Sequence, residues 1–129
     1  MEVGIKGHQE IIVTKEITAK SMGSGVIDVY GTPAMILLME ETAQQSVALH
    51  LDAGQGTVGT ELNIKHLAAT PVGMKVWCDT ELIEVDGRRL VFRAEAFDEC
   101  GKIGEGTHER FIVDTEKFQQ KTDAKLTDK

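Results

Sequence analysis

Two ionisable side chains stand among apolar residues in this sequence, where a charge costs free energy unless it has a partner. Glu40 projects between Ile36 and Val47 in a helical pattern, and His66 shares one face of a strand with Leu62. Carboxylate and imidazole are groups that often move protons in enzymes. The pattern also allows structural interpretations, in which Glu40 reaches water at the edge of the helix and His66 is a hydrogen-bonded core residue.

The helix that carries Glu40 is the longest element that the pattern indicates. Thr32 is a suitable N-cap, since its hydroxyl can accept from a free amide of the first turn, and Pro33 fits the first helical position. No glycine or proline interrupts the chain from there to Gly54, which can take the left-handed conformation that ends a helix. Apolar side chains spread nearly all round the cylinder, so we expect other elements to wrap this helix.

The rest of the chain alternates between apolar and polar residues, which is typical of β-strands. Asp86-Gly87 is a strong hairpin signal, and a second tight turn follows at residues 98–101. The predicted strands cover residues 9–18, 57–67, 74–85, 90–97 and 102–114. This order predicts an α+β fold, in which one curved antiparallel sheet wraps one long apolar helix.

The strand over residues 57–67 is expected to bring His66 towards the helix. Alternation places Val58, Thr60, Leu62 and Ile64 on the same face as His66. A single sheet of this kind leaves an edge strand with unpaired backbone groups. Dimerisation through that edge would extend the sheet and cover it.

Composition excludes several classes of function. The 129 residues are 41% hydrophobic and 27% charged, which is typical of one globular domain, with its core at about 9–114 and a polar tail at 115–129. The formal net charge of −7 disfavours a nucleic-acid partner. No apolar run is long enough for a membrane span and the N-terminus lacks a signal-peptide pattern, so we expect a cytoplasmic protein with no membrane partner.

The two cysteines point to neither disulfides nor metal. Cys78 and Cys100 are too few and too isolated for a disulfide framework or a zinc motif, so we expect reduced thiols. A metal site formed by Glu40, His66 and His108 would lack the usual His-x-x-x-His or Cys-x-x-Cys spacing. We therefore expect no metal.

Five segments, in order, resemble a known family. They are Leu38-Met39-Glu40-Glu41, Thr57-Val-Gly-Thr60, His66-Leu-Ala-Ala-Thr-Pro71, Val85-Asp-Gly-Arg-Arg-Leu90 and Ile103-Gly-Glu-Gly-Thr-His-Glu-Arg110. Together they resemble the fluoroacetyl-CoA thioesterase family of the hotdog-fold superfamily, over roughly residues 28–114. In the hotdog fold a curved antiparallel sheet surrounds one long helix, which agrees with the order of elements predicted above.

The resemblance implies an enzyme that hydrolyses a small acyl-CoA to the free acid and coenzyme A. The family's catalytic threonine, glutamate and histidine match Thr32, Glu40 and His66. In thioester hydrolysis Glu40 would be the base or the nucleophile, and His66 would carry the proton. Thr32 would orient the water or attack after deprotonation by His66. No cofactor is implied, because coenzyme A is part of the substrate.

Further residues are expected to bind the substrate. Gly59 would let the backbone approach the acyl group closely. Arg88, Arg89 and Arg110, together with two lysines (Lys65 and Lys75), are candidates to meet the phosphates of coenzyme A despite the net charge of −7. The resemblance also implies a homodimer, or two such dimers together.

One departure from the family concerns the acyl group. The fluoroacetyl-specific member has an aromatic lid segment before the helix, whereas residues 19–31 are short and glycine-rich, with Tyr30 as their one aromatic residue. This favours a housekeeping or pathway acyl-CoA thioesterase over one specific for fluoroacetyl-CoA. The alternatives are a hotdog hydratase or dehydratase, whose signature pairing is not found here, and a non-catalytic acyl-CoA-binding domain.

Overall fold

The chain folds around the long helix that its sequence predicts. The computed structural model describes residues 1–129. The helix, α2, spans Thr32–Ala48, and the strands are β1 Lys6–Ile12, β2 Gln55–His66, β3 Lys75–Asp86, β4 Arg89–Asp98 and β5 Gly101–Asp114. They form one antiparallel sheet in the order β1-β3-β4-β5-β2. The predicted α+β fold is confirmed.

The core lies between α2 and one face of this sheet. Two clusters fill it: Met35, Leu38 and Met39 pack with Val76, Ala94 and Ile103, and Ala43 and Val47 pack with Leu82, Leu90 and Phe92. Burying a large apolar side chain contributes about 1.5–3 kcal/mol, so these contacts hold the helix in place. The wrapping is incomplete, because Leu37 on the opposite side of the helix is 51% exposed.

The N-terminal region departs from the predicted strand over 9–18. After β1 the chain forms a 3₁₀ turn, Lys15–Ile17, and a short helix α1, Ala19–Met22. The hydroxyl of Thr18 caps α1 by accepting from the amide of Ser21 at 3.2 Å. The strand thus begins at Lys6 and ends at Ile12, earlier than predicted at both ends, and Thr18 begins a helix instead of continuing the strand.

Two further details of the helices differ from expectation. Gly31, not Thr32, is the N-cap of α2, and no side chain caps that end. The N-cap prediction for Thr32 was wrong because its hydroxyl bonds to a side chain of β2 instead. The expected polar tail is helical, as α3 Thr115–Asp123 and α4 Lys125–Asp128. None of the helices combines the length and the apolar character needed to cross a membrane.

Strand β2 lies at one edge of the sheet and contains an irregularity. It pairs only with β5, and the register shifts between Gly59 and Glu61. The side chain of Thr60 therefore lies on the outer face, where it donates to Glu109 at 2.6 Å. The prediction that Val58 and Thr60 share the face of His66 was wrong, because an extra residue in a strand inverts the alternation beyond it. Gly59 points inward, and Val58 lies opposite Phe111 on the outer face.

Candidate active site

A threonine and a histidine meet where α2 begins and β2 ends. Thr32 Oγ1 and His66 Nδ1 share a hydrogen bond of 2.8 Å. The ring of Tyr30 stands edge-on to the imidazole, with 6.4 Å between ring centres. These three residues line a cleft of about 300 Å³ with Leu67 and Ala68. The hydroxyl and the imidazole predicted to act together are thus in direct contact at an accessible surface.

The environment of His66 favours its neutral form. Burial lowers the pKa of His66 below its ordinary 6.5, and the nearby backbone of Ala68 opposes this only in part. The second ring nitrogen, Nε2, is buried and has no hydrogen-bond partner in the chain. A neutral imidazole bonded to a hydroxyl can accept that hydroxyl's proton, which is the first step in activating an alcohol or a water.

Glu40 belongs to a second group of residues, further along α2. Its side chain is 35% exposed, and its Oε2 lies 3.8 Å from Nη1 of Arg110. Gly59 of β2 is the close neighbour: a methyl group built there would lie 2.8 Å from Glu40 Oε2. Glu41 is exposed. Of the two adjacent glutamates, Glu40 is therefore the one that faces β2 beside a buried cation.

The guanidinium of Arg110 is buried and is held by two hydrogen bonds to Thr57. Its side chain is 8% exposed. Nε donates to Thr57 Oγ1 at 2.8 Å and Nη2 donates to the carbonyl of Thr57 at 2.9 Å. Burial lowers the pKa of Arg110, and the nearby carboxylate of Glu40 raises it. An arginine keeps its charge in such sites, so Arg110 presents a fixed positive charge next to Gly59.

The two groups are separate within one chain. Thr32 and Glu40 are eight residues apart on α2, which corresponds to about 12 Å along the helix axis. One chain therefore brings Thr32 to His66, and it brings Glu40 to Gly59 and Arg110, but it does not unite all the predicted residues.

The other predicted basic residues lie elsewhere. Arg89 pairs with Glu84 and Glu109 on the outer face of the sheet. Arg88 is exposed at the β3–β4 hairpin, 3.9 Å from Asp114. Of the two lysines, Lys75 pairs with Glu10 at 2.9 Å and Lys65 is exposed on the free edge of β2.

Two residues of the second group, His108 and Thr57, were not assigned a role from the sequence. His108 is 1% exposed and accepts from Nη1 of Arg110 at 3.2 Å. The available signal was the alternation along β5, which places residues 108 and 110 on one face. No group of three or more His, Cys, Asp and Glu side chains is arranged to hold a metal ion.

Comparison with known proteins gives one consistent family. Residues 13–116 match the family described as fluoroacetyl-CoA-specific thioesterase. A relative, the fluoroacetyl-CoA thioesterase of Streptantibioticus cattleyicolor, is 43% identical over 94 residues, which cover 73% of this chain and 68% of that protein.

Solved structures agree in fold. A structure of the fluoroacetyl-CoA thioesterase FlK superposes with a TM-score of 0.92 at 35% identity and covers 97% of both chains. A hypothetical protein of Thermus thermophilus, a thioesterase superfamily member, superposes with a TM-score of 0.89 at 26% identity, over 99% of this chain and 97% of that one.

Proposed function

Because this chain belongs to the fluoroacetyl-CoA-specific thioesterase family and is an acyl-CoA thioesterase of the hotdog fold, we propose that it hydrolyses a small acyl-CoA through Thr32, Glu40 and His66. The observation that carries the proposed site is the 2.8 Å hydrogen bond between Thr32 and His66 in an open cleft. The products are the free acid and coenzyme A.

The Thr32–His66 pair supports proton transfer at the thioester carbonyl. In its neutral form His66 takes a proton from Thr32, or from a water that Thr32 orients, as the oxygen attacks the carbonyl carbon. The carbon–sulfur bond then breaks and coenzyme A leaves as a thiolate, which needs little acid assistance. If Thr32 attacked, a water then hydrolyses the acyl-Thr32 ester and restores the hydroxyl; if water attacked, the free acid is formed as the thiolate leaves. Thioester hydrolysis by this route uses no cofactor, and we expect a chelator to leave the rate unchanged.

Glu40 joins this chemistry from a second copy of the chain. Its separation of about 12 Å along the helix from Thr32 prevents both from acting on one carbonyl within a single chain. The free edge of β2 carries unpaired backbone groups, and Leu37 (51% exposed) and Leu62 (41% exposed) leave apolar surface uncovered beside it. A homodimer through β2 covers this surface, and two such dimers are the larger assembly that the sequence allows.

The bulge in β2 suggests the register of the dimer. If Gly59 of one copy lies opposite the partner's His66, and Thr60 is the unpaired extra residue of the bulge, the two-fold axis passes through Asn63. Glu61 then faces the partner's Lys65, and neither of these exposed side chains has an ion-pair partner within its own chain. The same register brings Glu40 and Arg110 to the partner's cleft.

Cross-linking tests this register. On the two-fold axis, residue 63 of one copy would lie opposite residue 63 of the other. The Cα atoms of such opposed residues are about 4.5–5.5 Å apart, which permits a disulfide. With the exposed Cys100 changed to serine, Asn63→Cys should form a covalent dimer on mild oxidation, while Lys65→Cys should not. Sedimentation at micromolar concentration should show twice 14.1 kDa. A 14.1 kDa species alone, or equal cross-linking at both positions, would contradict the arrangement.

An assay of thiol release tests the activity and shows which acyl groups the enzyme accepts. Thiol release should be followed with a panel of short, branched and aromatic acyl-CoAs, with enoyl-CoA hydration as the competing reaction. Thr32→Val should abolish hydrolysis, and Thr32→Ser should keep it if the hydroxyl takes part. Mass spectrometry of the quenched enzyme then shows whether an acyl group is attached to Thr32. Hydration without hydrolysis would refute the proposal.

The segment before α2 supports a broad range of small acyl groups. Its one aromatic residue, Tyr30, is 1% exposed and belongs to the core, so it does not cover the cleft as a mobile lid would. We therefore expect acetyl-CoA and other short acyl-CoAs to compete well with fluoroacetyl-CoA. The cytoplasmic location predicted from the sequence stays a prediction.

A further inference from the structure

His108 lies in a buried chain of hydrogen bonds that the proposed reaction does not use directly. Its Nδ1 donates to the carbonyl of Glu61 at 2.9 Å, and its Nε2 accepts from Nη1 of Arg110 at 3.2 Å. The ring is 1% exposed and packs beside Phe92, with 6.3 Å between ring centres. These hydrogen bonds therefore connect the edge strand β2, through the imidazole of His108, to the guanidinium next to Gly59.

The two partners select one form of the ring. A carbonyl oxygen accepts only, so Nδ1 must carry the hydrogen, and a guanidinium donates only, so Nε2 must be bare. Protonation of Nε2 would set one donor against another. Of the charged groups near the ring, Arg110 and Glu40 lie on its own side of the sheet and Glu109 lies on the outer face, and burial is the largest influence, lowering the pKa of His108. His108 is thus a neutral acceptor.

We propose that His108 is a positioning residue for Arg110. His108 accepts one hydrogen of Nη1, and this leaves the other Nη1 hydrogen directed towards Glu40 and the space beside Gly59. Thr57 fixes Nε and Nη2, and His108 fixes the remaining nitrogen, so the plane of the guanidinium cannot turn. This inference rests on the proposed function, in which Arg110 meets the substrate. Without His108 the charge stays, but Nη1 loses its hydrogen-bond acceptor and only the two bonds to Thr57 hold the guanidinium.

Asparagine and glutamine separate this role from simple core packing. In His108→Asn the amide reaches the level of Nδ1 and can still donate to Glu61, but it offers Arg110 no acceptor. In His108→Gln the side-chain oxygen reaches the level of Nε2 and can accept from Arg110, while the bond to Glu61 is lost. Each variant breaks one buried hydrogen bond, so a purely structural role predicts equal losses.

The positioning role predicts unequal ones. We expect His108→Asn to lower kcat/KM by about 10- to 100-fold, the range for small displacements of a substrate-positioning group, and His108→Gln to stay within about fivefold of wild type. In an Arg110→Gln background the asparagine change should have no further effect. Circular dichroism of both variants controls for folding, and the ring ¹⁵N shifts of wild-type His108 should report the Nδ1–H tautomer.

The outcomes are distinguishable. Equal losses in the two His108 variants, an asparagine effect that persists in the Arg110→Gln background, or a wild-type ring in the Nε2–H or imidazolium form would overturn the inference alone. Wild-type kinetics in Arg110→Gln would remove Arg110 from the proposed site and overturn the inference with it. The tautomer measurement needs no variant, so it applies even if a substitution prevents folding.

Discussion

Changing Gly59 to alanine tests the second half of the proposed site directly. The backbone of Gly59 does not need a positive φ, so alanine fits its conformation. The new methyl group would lie 2.8 Å from Glu40 Oε2, 3.3 Å from His108 Cε1 and 3.5 Å from Arg110 Nη1. Ordinary carbon–oxygen contacts are about 3.4 Å, so the carboxylate of Glu40 must move away by about 0.6 Å.

The structural and catalytic consequences of this shift differ in size. Glu40 ends a flexible side chain that is 35% exposed, so it can move at a cost below about 1 kcal/mol in the free energy of unfolding. A misplacement approaching 1 Å in a reacting group costs up to about 100-fold in rate. We therefore expect Gly59→Ala to fold normally and to lose about 10- to 100-fold in kcat/KM.

Gly56→Ala is the matched control. Gly56 lies on the same strand, and a methyl group there would contact only Thr115 Cγ2, at 2.9 Å, away from Glu40. The assay compares acyl-CoA hydrolysis and thermal unfolding for the two variants. Wild-type activity in Gly59→Ala, or an equal loss of activity in both variants, would refute the assignment of Glu40 and Gly59 to the reaction.

Three further predictions follow from the same contacts. Glu40→Gln should lower kcat/KM by about 100-fold or more, while the exposed Glu41→Gln should stay near wild type; equal effects would contradict this. Since burial keeps the pKa of His66 below 6.5, kcat/KM should fall only as pH drops below about 6.5, and folded His66→Ala should lose both the rate and this limb. Arg88→Ala should raise KM for acyl-CoA and weaken its salt dependence more than Arg89→Ala, because Arg89 is already paired; no change in either variant would place the phosphates elsewhere.

Much of the fold, and part of the candidate site, could be predicted from local patterns. The continuous apolar run of α2 and the hairpin turn at residues 86–87 led to the correct fold class, because periodicity and turn chemistry act within a few residues, whereas the strand order β1-β3-β4-β5-β2 was not predicted. The half-buried Glu40 and the contact of His66 with Thr32 agree with the expectation that ionisable groups among apolar residues have partners.

What the sequence did not indicate depends on interactions between distant segments. The bulge at Thr60 arises where β2 must match β5, and it puts Gly59 rather than Thr60 on the inner face. Thr32 is not the N-cap of α2, because its hydroxyl bonds instead to His66, which is distant in the sequence. The bonds from Arg110 to His108 likewise depend on the placement of β2 and β5, which periodicity alone does not specify.

The most direct test of the account is complementation between two inactive variants. Thr32→Ala and Glu40→Gln chains should each form inactive dimers when expressed alone. When they are co-expressed, each mixed dimer has one site in which intact Thr32 and His66 meet the intact Glu40 of the other chain, so random pairing should restore about a quarter of wild-type activity. Activity no higher than that of the separate variants, from a preparation shown to contain mixed dimers, would contradict the proposal that two copies share the site.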